Sequence, residues 1–275
     1  VHGGVSRNVV EDIANIELRP TFLGIVDNSA LGEEVIHKLQ RHKVNTEYMQ
    51  TVPGGMGTWL AVFDHNGDVA GSISQRPDLT PILTILEEKG DEIISQCDSI
   101  VIEVDMDKEI VKKVVLLCEK YNKKLYGVVS NMSIAMERRD FLQKFDCFIC
   151  NQQEAGMFFS DDYNDKTPDE MQDILADCLK HANISSMVVT MGGQGAVFAD
   201  KNGLRGFCPA RSVQVKDTTG AGDSFCAGVA SGLTYGNTLE EAVAIGTRLA
   251  ASVITSSENV CPRFLPAELG ITEQV

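Results

Sequence analysis

Residues 217–230 read Asp-Thr-Thr-Gly-Ala-Gly-Asp-Ser-Phe-Cys-Ala-Gly-Val-Ala, and this stretch decides how the rest of the chain is understood. Gly220, Ala221 and Gly222 are small residues placed just before a run without helix breakers. They make a tight turn whose backbone N–H groups point into the open end of a helix. Unpaired amides, the positive end of the helix dipole and a nest of successive N–H groups all favour an anion there. Gly222 is expected at positive φ, where a branched side chain is strained and blocks backbone approach to phosphate. Asp223 follows at once. A carboxylate beside a bound phosphate repels it, unless its task is to take a proton from a hydroxyl that attacks phosphorus. The pattern points to a kinase acting on an alcohol; a glycine-rich helix cap with an ordinary N-terminal Asp is the bland alternative.

Three more stretches fall in order along the chain: Gly3-Gly4-Val5-Ser6-Arg7-Asn8, Asn151-x-x-Glu154, and Thr190-Met191-Gly192-Gly193-Gln194-Gly195. Together with residues 217–230 they resemble the landmarks of the ribokinase (PfkB-type) family of carbohydrate and nucleoside kinases. The wording Gly-Gly-Val-Ser-Arg-Asn-Val-Val-Glu-Asp is similar to the pseudouridine kinase branch. The resemblance implies one α/β domain over residues 1–275, a ribokinase-like doubly wound and mostly parallel sheet flanked by helices. It also implies a small β-sheet lid that includes about residues 45–75 and makes a homodimer contact. The implied activity is ATP-dependent transfer of the γ-phosphate to a sugar or nucleoside hydroxyl, with pseudouridine as the first candidate. Ribose, fructose phosphate and adenosine are alternatives, as is a non-catalytic nucleotide-binding scaffold.

The resemblance also distributes roles. Asp223 is the base, and the amides of Gly220, Ala221 and Gly222 neutralise charge on the transferred group. Gly3, Gly4 and Asn8 bind ribosyl hydroxyls, while Arg7 offers a planar donor fork to carbonyl or phosphate oxygens. ATP lies along Thr190, Gly192, Gly193 and Gly195, with its adenine near Ala250, Ala251, Ile254 and Asn259. Asn151 and Glu154 hold Mg²⁺ through water, as suits an ion that keeps its hydration shell. Asp217 and Thr219 resemble positions lining a monovalent-cation (K⁺) site, and ordinary turn capping explains them as well. The sequence departs from the family in several places, with Val10 where the family tends to have Ala and Ser6 in another small-residue slot. The first strand and its sugar-gripping Asp are expected before the Gly-Gly turn, whereas this sequence starts at Val1-His2-Gly3. Glu17 stands where a Gly often ends the first helix.

Composition narrows the classes. With 39 acidic against 24 basic side chains, the net charge of −15 argues against binding a nucleic-acid backbone. No apolar run approaches a membrane span, and a signal pattern is lacking, so a cytoplasmic enzyme is expected. Eight cysteines sit mostly in apolar segments, as buried thiols do. Cys147-Phe148-Ile149-Cys150 has metal or redox spacing, yet its segment reads as a buried strand and no second cluster completes a zinc site.

The hydrophobic pattern predicts strands at 21–26, 99–104, 124–130, 147–150, 187–191 and 195–199, with helices at 31–40, 108–121 and 168–181 between them, and so a parallel order. Thr58 to Phe63 and Val69 to Ser74 flank Asp64-His65-Asn66-Gly67-Asp68, a hairpin signal that carries Trp59, the one tryptophan, as a lid or interface contact. Residues 222–234 continue as a helix, Gly236-Asn237 ends it, and Thr238-x-x-Glu241 is a capping box opening another to about Ser256.

Overall fold

Strands buried on both faces alternate with amphipathic helices, and that alternation builds the layers of the molecule. The computed structural model describes residues 3–63 and 69–272. Helix α1 (Val5–Asn15) leads to β1 (Ile25–Val26), α2 (Ala30–Arg41), β2 (Gln50–Thr51), the paired strands β3 (Thr58–Phe63) and β4 (Val69–Gln75), and α3 (Thr80–Gln96). Next come β5 (Ser99–Glu103), α4 (Lys108–Tyr121), β6 (Lys124–Val128), the short turns α5 (Met132–Ala135) and α6 (Arg139–Leu142), β7 (Cys147–Asn151), α7 (Gln152–Phe159) and α8 (Pro168–Ala182). The chain continues through β8 (Ser186–Thr190), β9 (Gly195–Asp200), β10 (Arg205–Pro209), α9 (Ala221–Thr234) and α10 (Leu239–Ile254).

The main sheet has the order β10-β9-β8-β7-β6-β5. Strands β5 to β8 are parallel because helical crossovers join them. The parallel expectation fails at β9 and β10, which run antiparallel to their neighbours. Only residues 191–194 join β8 to β9, too few for a crossover, so the chain turns back as a hairpin. One face of the sheet packs on α3, α4, α7 and α8 through residues such as Leu86, Val111, Ala155 and Leu175. The other face packs on α1, α9 and α10 through Val9, Phe225, Val229 and Val243. Cys147 belongs to the second core and Cys150 to the first, so the Cys-x-x-Cys pair is split across the sheet, as residues three apart on a strand must be. All eight cysteines are free.

The expected strand at 21–26 is shorter than its pattern. Only Ile25 and Val26 pair, with β2, and Thr21 makes a single bridge to Asn45. A turn closed by Met49 N–H on Thr46 C=O interrupts the partner segment between these contacts. Residues 50–51, expected in the lid, therefore lie beside β1, and the separate two-stranded sheet is β3–β4. Its 64–68 turn and the Trp59 side chain lie outside the described residues. A cavity of about 1730 Å³ is lined by residues of β1 and the edge strand β5, by apolar side chains such as Ile82, Leu86 and Ile94 and by polar ones such as Arg76, Glu103 and Asp223. Helix α1 ends as the sequence suggested: Glu17 takes a left-handed φ of 63° where glycine would be unstrained, and Arg263 and Lys43 pair with its carboxylate.

Candidate active site

Two helix N-termini meet at the mouth of the cavity, α1 from the Gly3-Gly4 turn and α9 from residues 217–220. Gly220 is the left-handed N-cap of α9, with φ 82°. A Cβ on it would sit 2.0 Å from the Asn259 carbonyl oxygen, so only glycine fits. Gly222 corrects the expectation of positive φ: it lies in the first helical turn, and a Cβ there would meet nothing within 4 Å. Its bareness leaves open space in front of the helix rather than relieving the backbone. Asp223 follows, half-buried, and accepts a hydrogen bond from Asn8 Nδ2 at 2.6 Å. Burial pushes its pKa up to about 6, the Asn8 bond pulls down, the Glu103 carboxylate pushes up further, and Arg7 pulls down.

Glu103 was not singled out by the sequence. It stands at the C-terminal end of β5 and lines the cavity together with Gly3, Gly4, Ser6 and Asp223. Helix α1 lacks a cap from its own N-cap residue, Gly4. Glu103 Oε1 supplies one across the fold, accepting from Ser6 N at 2.9 Å and from Ser6 Oγ at 2.6 Å. The available signal was a carboxylate at the C-terminal end of a parallel strand, where open α/β sheets place their sites. Asp105, two residues on and fully buried, was also missed. It accepts from Arg76 Nη2 at 2.6 Å, Ser130 Oγ at 2.7 Å and Ser130 N at 2.9 Å, tying the base of the β3–β4 hairpin to the cavity wall.

Arg7 and Asn8 do not stand free as expected. Arg7 is only 6% exposed and donates to Glu11 Oε2, Asn8 Oδ1 and, at 3.2 Å, Gly3 O. Asn8 takes Arg7 and Asn259 Nδ2 (3.1 Å) on its oxygen while giving its amide to Asp223. Both side chains are committed within the protein, where they orient Asp223.

Further along, Thr190 ends β8, Gly192–Gln194 form an exposed 3-10 turn, and Gly195 has a φ of 128° with the Cys208 carbonyl in the place of a Cβ. Ala250, Ala251 and Ile254 lie toward the C-terminal end of α10, Ala251 buried and the other two half-buried. Ile254 O accepts from Lys216 N at 2.7 Å, which brings the chain entering the 217–223 turn alongside. Asn259, expected with them, instead turns its amide to Asn8. Asp217 Oδ1 accepts from Thr219 N at 2.8 Å, a turn cap that holds the carboxyl below its ordinary range. Asn151 and Glu154 form a capping box on α7: Asn151 Oδ1 accepts from Glu154 N at 2.8 Å and Glu154 Oε2 from Asn151 N at 2.7 Å. Burial, and secondarily the charge of Asp105, raise the Glu154 pKa against that backbone bond. Among the described residues no three His, Cys, Asp or Glu side chains gather as metal ligands, and no helix is long and apolar enough to cross a membrane.

Residues 1–261 match the profile of the pfkB family of carbohydrate kinases. A guanosine-inosine kinase of Exiguobacterium acetylicum is 33% identical over 271 residues, 97% of this chain and 88% of its own length. A pseudouridine kinase of Escherichia coli K12 is 22% identical over 242 residues, with 88% and 76% covered. A ribokinase of Arabidopsis thaliana, solved in complex with ribose and ATP, superposes with a TM-score of 0.80 at 19% identity, covering 97% of this chain and 86% of that one. The architecture is therefore ribokinase-like, as the ordered motifs implied.

Proposed function

We propose that this chain, which belongs to the pfkB carbohydrate kinase family, transfers the γ-phosphate of ATP to a hydroxyl of a purine ribonucleoside of the inosine or guanosine type. The single observation behind the chemistry is Asp223. It stands at the N-terminus of α9 on the cavity wall, held by Asn8 and with its proton affinity raised toward neutrality, as a base working near pH 7 requires. The open space at Gly222 leaves room for a phosphoryl group against the first amides of α9, where the dipole and those amides receive the charge that builds in transfer. On the far side Gly3 and Gly4 present bare backbone, and Glu103 a carboxylate, to the acceptor's sugar hydroxyls.

The purine choice rests on the 33% identity to the guanosine-inosine kinase over nearly the whole chain. Pseudouridine is the second reading, supported by the Gly-Gly-Val-Ser-Arg-Asn wording. That support is thinner once Arg7 is seen to spend its fork on Glu11 and Asn8. Mg²⁺, general in this family, suits oxygen donors: the side-chain oxygens of Asn151 and Glu154, which also accept the capping-box amides, would hold it through its waters, and it would neutralise phosphate charge. The bond from Thr219 N accounts for Asp217 as a turn cap, the alternative to a K⁺ site. Leu60 and Ile73 are directly paired across the hairpin and 67% and 73% exposed, a self-complementary apolar face suited to a homodimer. Eight free thiols suit a reducing cytoplasm.

The test is a coupled ATP-consumption assay with Mg²⁺ over inosine, guanosine, adenosine, pseudouridine, uridine, ribose and fructose 6-phosphate. Highest kcat/KM on inosine or guanosine is expected. A clear preference for pseudouridine selects the second reading, and turnover on none of them leaves a nucleotide-binding scaffold. Arg7→Ala should reduce all nucleosides alike, because its partners are protein groups and not a nucleobase.

A further inference from the structure

Helix α1 carries a second buried acid that the reaction so far leaves unused. Asp12 is 0% exposed, one turn beyond Asn8. Its Oδ2 accepts from Ser224 Oγ at 2.7 Å and its Oδ1 from Cys261 N at 2.5 Å, while Cys261 Sγ lies 3.8 Å from the Asp12 carbonyl. Ser224 is the residue after Asp223, and Cys261 is two residues after Asn259. The same three segments are thus joined twice. At one level Asn8 binds Asp223 and Asn259; at the next, one helical turn deeper, Asp12 binds Ser224 and Cys261. The lower level is dry, and a carboxylate with both oxygens bonded there fixes orientation more firmly than a neutral side chain.

We propose that Asp12 is a positioning residue for phosphoryl transfer: through Ser224 and the Cys261 amide it locks the first turn of α9 and the 259–261 loop onto α1, and so fixes where Asp223 points. This rests on Asp223 being the base. The groups facing Asp12 are Asp223 and Cys226 on α9 and Cys261 after α10, and Glu11 of α1 acts on the same Cys261 thiol. Burial, opposed by the Cys261 and Ser224 bonds, pushes the Asp12 pKa up to about 7. Protonated on Oδ2, it can donate to Ser224 Oγ while Oδ1 still accepts from Cys261 N, so both contacts survive and what is lost is the negative charge beside Asp223.

The experiment measures kcat, both KM values, the pH profile of kcat/KM and Tm for the full chain and for Asp12→Asn, Asp12→Ala, Ser224→Ala and Asp223→Asn. Asp12→Ala and Ser224→Ala should each lower kcat by about tenfold or more with KM for ATP within about twofold, the scale of a displaced catalytic group. Asp12→Asn can keep both bonds, so kcat should be largely rescued while the acid limb of kcat/KM loses its second proton and moves to lower pH; a packing role alone would leave that limb in place. Wild-type kcat in Ser224→Ala together with a wild-type acid limb in Asp12→Asn overturns the proposal. Should the Asp12 variants fail to fold, the kcat of Ser224→Ala decides. Full turnover in Asp223→Asn, by contrast, removes the base itself, a different failure.

Discussion

Exchanging glycine for alanine at positions 220 and 222 separates backbone geometry from anion binding, because the two sites sit two residues apart in opposite surroundings. At Gly220 alanine must hold a φ of 82°, a left-handed conformation that costs about 1 kcal/mol. Its Cβ would also fall 2.0 Å from the Asn259 carbonyl oxygen and 2.7 Å from the carbon, so the 259 loop has to retreat by over an ångström. Forced displacement of packed backbone adds about 1–3 kcal/mol, for a total of about 2–4 kcal/mol. At roughly 2 °C per kcal/mol for a chain of this size, Gly220→Ala should lower Tm by about 4–8 °C. Because that loop carries Asn259, the hydrogen-bond partner of Asn8, kcat should fall as well. Gly222→Ala meets open space in a regular helical turn, so it should hold or raise Tm by up to about 2 °C, the helix gain of alanine over glycine. Its methyl group nevertheless stands where the phosphoryl group is placed, and ATP turnover should drop. Circular-dichroism melting and the coupled ATP assay read the two effects independently. A wild-type Tm in Gly220→Ala refutes the steric argument, and full activity in Gly222→Ala refutes the placement of the anion.

Asp223→Asn should retain its fold and ATP binding yet lose turnover by about two orders of magnitude or more, measured as kcat at saturating ATP; unchanged kcat ends its assignment as base. The pH dependence of stability follows from Asp12, whose pKa rises from 3.8 to about 7 on folding. The folded state then binds the proton more tightly than the unfolded one, so the stability that Asp12 contributes is fully present below about pH 4, declines through the window from about 4 to about 7, and is gone above it. The swing amounts to about 4 kcal/mol at most. Denaturant titrations of wild type and Asp12→Asn across that window should diverge, wild type losing more, and parallel curves would contradict the shift. Placing aspartate at Leu60 and Ile73 should leave melting nearly unchanged while converting the proposed dimer to a monomer by light scattering; a dimeric mass in the double variant would rule out that face.

The sequence alone determined the chemistry-bearing turn and most of the layer. Residues 217–223 are contiguous, so their anion-binding potential is a local property of small residues before a helix, and the strands at 99–103, 124–128 and 147–151 are long apolar runs legible by periodicity. The capping box at Thr238 is legible in the same way, whereas the box at Asn151 reads as a magnesium pair and the one at Thr167 was not singled out. Tertiary structure decided what depends on partners far away in the chain. Whether Asn8 faces a ligand or Asp223 is fixed by a contact 215 residues apart, and the cap that Glu103 gives α1 spans 97. Glu11 and Asp12 read as ordinary acids on an amphipathic helix, and only the packing of α1 between α2 and α9 buries them. Gly220 and Gly222 look equivalent in sequence. One requires glycine because a carbonyl from residue 259 occupies its Cβ position, and the other faces open space, a difference that exists only once two distant segments have met.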